Sequence, residues 1–103
     1  MIHGDYLLRT VDGDRVPTDA VHSGIISLRS GETYTAYTCY AFEDWSSTCL
    51  LERTESGRYS MHGAMVTLHD DFGYSRTLRL AGNALVQVSS GDTGAKHLMY
   101  ARW

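Results

Sequence analysis

The stretch "TYTAYTCYAFEDWSSTCLLERT", residues 33–54, decides the fold through its alternation. Successive side chains of a strand point to opposite faces. One face of residues 33–42 therefore collects Tyr34, Ala36, Thr38, Tyr40 and Phe42. The other collects Thr33, Thr35, Tyr37, Cys39 and Ala41. The two cysteines of the chain, Cys39 and Cys49, stand at equal distance from Asp44. A hairpin centred on Asp44 pairs Phe42 with Ser46, Tyr40 with Thr48 and Cys39 with Cys49, with Glu43, Asp44 and Trp45 as its loop. The same pairing sets Glu52 opposite Ala36, on the face of Tyr34 and Tyr40. Opposed Cα atoms lie about 4.5–5.5 Å apart in such pairs, within disulfide reach. A Cys39–Cys49 disulfide and a pair of reduced thiols both fit this geometry. A zinc site does not, because no second Cys or His pair offers the remaining ligands.

Working outward, glycines at 4, 13, 24, 31, 57, 63, 73, 82, 91 and 94 punctuate the chain, many of them nine to eleven residues apart. That spacing is the rhythm of a strand plus a turn. Between the breaks lie "DYLLRTV", "GIISLR", "TYTAYTCYAF", "STCLLERT", "RYSMH", "AMVTLH", "YSRTLRL", "ALVQVS" and "HLMYAR", rich in the β-branched and aromatic residues that strands favour. The best helical candidate, "PTDAVHSG" at 17–24, is one or two turns long. The expectation is all-β: an antiparallel up-and-down barrel of eight or nine strands, closed because an open meander leaves two unpaired edges.

Parity then assigns an interior. Arg9 faces water, which sends Tyr6, Leu8 and Thr10 inward. Ile26 and Leu28, Tyr59 and Met61, Val66 and Leu68, and Leu78 and Leu80 follow by the same rule. On the last two strands the inward set is Val86, Val88, Leu98 and Tyr100.

The chain of 103 residues suits one domain, 1–103. Its 43% hydrophobic and 20% charged composition is that of a globular protein. Eight arginines and one lysine, Lys96, are scattered singly against a net charge of −3, so no basic stripe marks a nucleic-acid surface. No apolar run is long enough to span a bilayer, and "MIHGDYLLRT" lacks a secretory h-region. A cytoplasmic location is the expectation, with a mature secreted fragment as the alternative.

The order of features resembles the small bacterial lipocalin-like domains of the calycin group. "GDYLLRTVDGDRVP", "GIISLRSGETY", "SGRYSMHGAMVTL" and the terminal "LMYAR" carry the likeness over nearly the whole chain. Gly4-Asp5-Tyr6 is similar to the lipocalin Gly-x-Trp motif with tyrosine in place of tryptophan. The resemblance casts Arg102 as the basic residue that packs across that aromatic. It implies a barrel with an interior cavity and no particular ligand. The chain departs from the family in being short, in lacking the long helix after the barrel and in having no Thr-Asp-Tyr motif.

Other motifs carry little. Asp92-Thr93-Gly94 matches the aspartic-protease triplet, but Ser89, Ser90 and Gly91 precede it where an apolar strand belongs, so a surface turn is expected. His3, His22, His62, His69 and His97 form no metal-like pair, and "HDDFG" at 69–73 reads as a turn. No metal or cofactor is expected.

The candidate binding residues are thus Tyr6, Leu8, Tyr34, Thr38, Tyr40, Tyr59, Met61, Gln87 and Tyr100, on or near the inner face. A barrel of about eight strands is just wide enough for its own side chains or one small ligand. Buried phenols need partners, which Thr38, Thr48, Gln87 and Glu52 can supply. Three functions compete. A binding module takes a small apolar or amphiphilic molecule inside the barrel. A barrel enzyme, an isomerase or cyclase, uses Glu52 with an inward tyrosine as its acid. An interaction or inhibitor protein uses exposed aromatics such as Trp45 and Trp103. The expected partner is a small ligand, and a homodimer stays open.

Overall fold

The computed structural model describes residues 2–18, 21–40, 49, 51–88 and 97–103. They form nine strands: β1 (Gly4–Val11), β2 (Asp14–Arg15), β3 (Val21–Arg29), β4 (Thr33–Tyr40), β5 (Leu51–His62), β6 (Met65–Asp70), β7 (Ser75–Ala81), β8 (Ala84–Val88) and β9 (His97–Arg102). All pairings are antiparallel, in the order β2-β1-β3-β4-β5-β6-β7-β8-β9, and β1 also pairs with β9. That last ladder closes eight strands into a barrel, with β2 as a short addition beyond the Asp12-Gly13 turn. Closure removes the open edges that a meander would otherwise present. No helix occurs among the described residues. None is therefore long and apolar enough to cross a membrane, which says nothing about strands.

The helical candidate at 17–24 is displaced by β3, which begins at Val21. Thr18 N donates to Val21 O at 2.8 Å, and Val21 N donates to Thr18 Oγ1 at 3.1 Å. These bonds fold the segment back on the strand, and the β-branched Val21 sits in the core.

The interior follows parity closely, with instructive exceptions. Tyr6, Leu8, Ile26, Leu28, Tyr34, Ala36, Tyr59, Val66, Leu68, Leu78 and Tyr100 are buried in one cluster. Thr10 is not among them. A bulge between Leu8 and Thr10 adds a residue on β1 against β9, so Val11 turns inward opposite Leu98. On β8 the inward residues are Leu85 and Gln87, which oppose Leu80 and Leu78, and Val86 lies on the other face. Met61 shares the inner parity but is 39% exposed, beside the β5–β6 turn where the barrel ends.

The main correction concerns β5. Tyr40 pairs with Leu51 and Cys39 with Glu52, a ladder displaced by three residues from a hairpin centred on Asp44. The expected pairings of Phe42 with Ser46 and of Tyr40 with Thr48 reach residues 41–48, outside the described set, but Tyr40 itself is committed to Leu51. An odd displacement reverses a strand's faces. Glu52 is therefore exposed on the outside, and Glu55, opposite Ala36, turns inward. Cys39 and Cys49 are joined by a disulfide with Cα atoms 5.5 Å apart, although they are not ladder partners.

Gly57 constrains how closely β5 meets β6. It lies inside β5, between Tyr34 of β4 and Asp70 of β6, where its spacing from other glycines suggested a break. A Cβ built on Gly57 would overlap the His69 carbonyl oxygen and come 2.8 Å from Asp70 Cα. The ladder partner of Gly57 on β4 is Tyr34, 1% exposed. The ladder expected from the cysteines would have set it against Thr54. Gly57→Ala is expected to destabilise the barrel by about 2–3 kcal/mol, the cost of overpacking a site that cannot relax. Urea unfolding followed by far-ultraviolet circular dichroism measures it, and an unchanged midpoint would contradict this close approach of β5 to β6.

Candidate functional site

The two ends of the barrel differ in chemistry. At one end lie the N-terminus, the β3–β4, β5–β6 and β7–β8 turns and Trp103. Tyr6 is 1% exposed there, and its hydroxyl donates to Ile2 O at 2.6 Å. Arg102 Cζ stands 6.0 Å from the Tyr6 ring centroid, and its Nη2 donates to His3 O at 2.5 Å. Gly4 makes this approach feasible. Its φ of +147° disfavours a side chain, and a Cβ would come 3.1 Å from Arg102 Nε. Tyr59 donates to Arg29 O at 3.3 Å at the same end. Burial raises the Tyr6 phenol, partly offset by Arg102, and burial likewise raises Tyr59, with the Glu32 charge adding to it. Both phenols are thus engaged with backbone carbonyls, and this end is packed core.

The other half of the interior holds a polar group of side chains from five strands. Glu55 of β5 and Arg76 of β7 form an ion pair, Oε1 to Nη2, at 2.7 Å. Arg76 Nη1 donates to Gln87 Oε1 on β8 at 2.8 Å. Tyr34 of β4 donates to Glu55 Oε2 at 3.3 Å. Tyr100 of β9, 1% exposed, hydrogen-bonds to Arg76, and Tyr40 is close enough to influence it electrostatically. Glu55 and Arg76 retain only 12% and 20% side-chain exposure, so water contributes little to holding their charges. Arg76 Nε is buried and meets no acceptor among the described residues.

The electrostatics follow from burial and pairing. Desolvation raises the Tyr34 phenol strongly, and the Glu55 charge raises it further. Desolvation also raises Tyr100, with Arg76 pulling the other way. For Arg76 burial works against the cation, but Tyr100 and Glu55 outweigh it and hold the guanidinium charged. The interior thus presents a fixed cation, a fixed anion and two neutral phenols.

The sequence-derived candidates divide accordingly. Tyr34, Gln87 and Tyr100 meet at the polar group. Tyr40, partly buried, packs beside the core, and Thr38 is half-buried on the same strand. Leu8 is core, Tyr6 and Tyr59 belong to the packed end, and Met61 is at a turn. Glu52 lies outside, where Tyr37, raised mainly by desolvation, also feels its charge. Thr48 and Trp45 are outside the described residues. Trp103 is 80% exposed, and Phe72 and Tyr74 near the β6–β7 turn are 87% and 68% exposed. Glu55 and Arg76 were the residues that sequence reasoning missed. A weak signal existed for Arg76: in "YSRTLRL" it shares parity with Leu78 and Leu80, the faces already taken as inward.

No protein-family model, curated protein or solved structure matches the chain.

Removing one member of a buried ion pair leaves the other charge uncompensated, at about 3–5 kcal/mol, whereas replacing both with apolar residues is often neutral. Residual exposure discounts that figure here. Glu55→Leu should therefore cost about 2–3 kcal/mol, and the double variant Glu55→Leu/Arg76→Met distinctly less than this single one. Equal losses, measured by denaturant unfolding, would show that the pair is not coupled.

The phenols predict an alkaline limb. A phenol with a raised folded-state pKa contributes stability that is complete below the unfolded value near about 10 and is lost as pH rises through the folded value. Tyr34, Tyr100, Tyr6 and Tyr59 all shift upward, so the unfolding midpoint should fall above about pH 10. Tyr34→Phe should flatten that fall, as read from urea midpoints across alkaline pH.

Proposed function

We propose that this protein binds a small apolar or amphiphilic molecule inside the barrel. The observation that supports it is the Glu55–Arg76–Gln87 group, flanked by Tyr34 and Tyr100 and set within an otherwise apolar interior. Binding sites typically combine apolar walls with a few convergent polar groups that fix orientation. A charged pair inside a domain of this size is a poor route to stability, since apolar residues of similar volume do as well. Recognition is a physical reason for keeping it. The Gly4-x-Tyr6 start and the arginine over that ring support the lipocalin-like reading of the barrel, and barrels of this strand number are wide enough to hold one small ligand.

One observation favours a second reading, an isomerase or cyclase. The Tyr34 hydroxyl donates to the Glu55 carboxylate at 3.3 Å inside the barrel, an inward Glu/Tyr pair of the kind first sought at Glu52. In that reading Glu55, not Glu52, exchanges the proton. Disulfides persist in oxidising compartments, so the Cys39–Cys49 bond supports the secreted alternative over the cytoplasmic one.

Native mass spectrometry of freshly purified protein tests the binding proposal. The expected spectrum contains a complex that releases a small apolar or amphiphilic molecule on denaturation. An apo mass alone, with no uptake of apolar probes from a mixture, would sink it. For the enzyme, Glu55→Gln is expected to abolish turnover of a candidate substrate while leaving its affinity in place.

A further inference from the structure

We infer that one side of the barrel's outer surface, centred on Leu7, pairs with the same surface of a second copy of this chain, Asp5 of each copy facing Arg9 of the other. This goes beyond the binding proposal and uses none of the interior polar residues.

The parity that sends Tyr6, Leu8, Ile26 and Tyr100 into the core turns Leu7, Ile25 and Ala101 to the outside. Leu7 is the ladder partner of both Ile25 and Ala101, and the row continues to Tyr37 on β4. Met99 and Val86, paired across β9 and β8, extend it. An antiparallel sheet with one solvated face ordinarily carries polar side chains there. On β5, β6 and β7 the outward positions are mostly polar, among them Thr54, Ser56, Ser60, Thr67 and Thr77. The apolar outward positions instead gather around β1 and its neighbours, and contiguous apolar surface marks an interaction site where scattered single residues do not. Trp103, 80% exposed, stands at the margin of this face, its backbone N–H donating to Asp5 O at 2.9 Å.

Charge identifies the occupant. The outward positions of β1 run Asp5, Leu7, Arg9, with an exposed acid at one end and an exposed base at the other. Neither belongs to an ion pair among the described residues. Four residues of strand hold them roughly 13 Å apart, too far to meet each other. A twofold axis lying in the interface and crossing β1 at Leu7 reverses the strand. It sets Leu7 on Leu7 and Ile25 on Ile25, and brings Asp5 of each copy to Arg9 of the other, so the contact occurs twice. On β9 the same rotation exchanges Met99 and Trp103, which flank Ala101 on either side. The exposed Trp103 of each copy then meets Met99 of the other. A lipid surface would strip water from both charges and offer them no partner. The row from β4 to β8 spans five strands, about 19 Å at the usual strand spacing. That is small for a specific interface, so the dimer is expected to be weak, with a micromolar dissociation constant.

Sedimentation equilibrium of the intact chain, from about 1 µM to about 1 mM, tests the pairing. The expected result is a reversible equilibrium between monomer and dimer. Asp5→Arg and Arg9→Asp, both at exposed positions, should each weaken the dimer at least about tenfold, because like charges then face each other twice. The double variant Asp5→Arg/Arg9→Asp should return to within about threefold of wild type, because every charge again meets its opposite across the axis. A wild-type chain that stays monomeric at about 1 mM would overturn the inference. So would a dimer indifferent to the single reversals, or a double variant as weak as either single one. A monomer that cosediments with phosphatidylcholine vesicles would assign this face to a lipid surface and overturn it equally. None of these outcomes depends on ligand uptake, so the binding proposal stands or falls separately.

Discussion

The ladder that sets Tyr34 of β4 against Gly57 of β5 is the constraint on which the interior depends. Tyr34 and Gly57 are ladder partners, and the space a Cβ would need at Gly57 is filled by the backbone of β6. Move this ladder by an odd number of residues and every side chain of β5 changes face. Glu55 would leave the interior, Arg76 would be buried without a counter-charge, and the Tyr34 hydroxyl would lose its acceptor. The register of a single ladder thus decides which carboxylate enters the barrel and whether the arginine facing it can be tolerated.

That arginine gives the barrel its asymmetry. At the packed end the phenols of Tyr6 and Tyr59 are satisfied by main-chain carbonyls that the fold supplies in any case. Nothing there asks for a ligand. In the other half, polar atoms satisfy one another across five strands, so each depends on the others being in place. A network of this kind in a low-dielectric interior strengthens its own hydrogen bonds and penalises any member left out. Arg76 is held by an acid, an amide and a phenol, and its Nε meets no acceptor among the described residues.

Much of the architecture was legible in residue order. Glycine rhythm and β-rich runs gave the strand count, and alternation placed Tyr6, Ile26, Leu28, Tyr34, Val66, Leu68 and Leu78 inside, because both are local properties of an extended chain. Three features were not legible. The bulge that exchanges Thr10 for Val11 depends on how β1 meets β9, almost ninety positions away in the chain. Leu85 and Gln87 sit in a run where every residue but one is apolar, so alternation had nothing to grip. The β4–β5 register was drawn from the symmetry of the cysteines, but a disulfide needs only nearby Cα atoms and not ladder partners.

The sequence by itself therefore determined the class of fold, the closure and most of the apolar lining, since two-residue periodicity and turn chemistry act within a few residues. Tertiary structure alone decided which charges are buried. Parity along one strand is blind to register between strands, and only the β4–β5 ladder, with Ala36 opposite Glu55, turned Glu55 inward to meet Arg76.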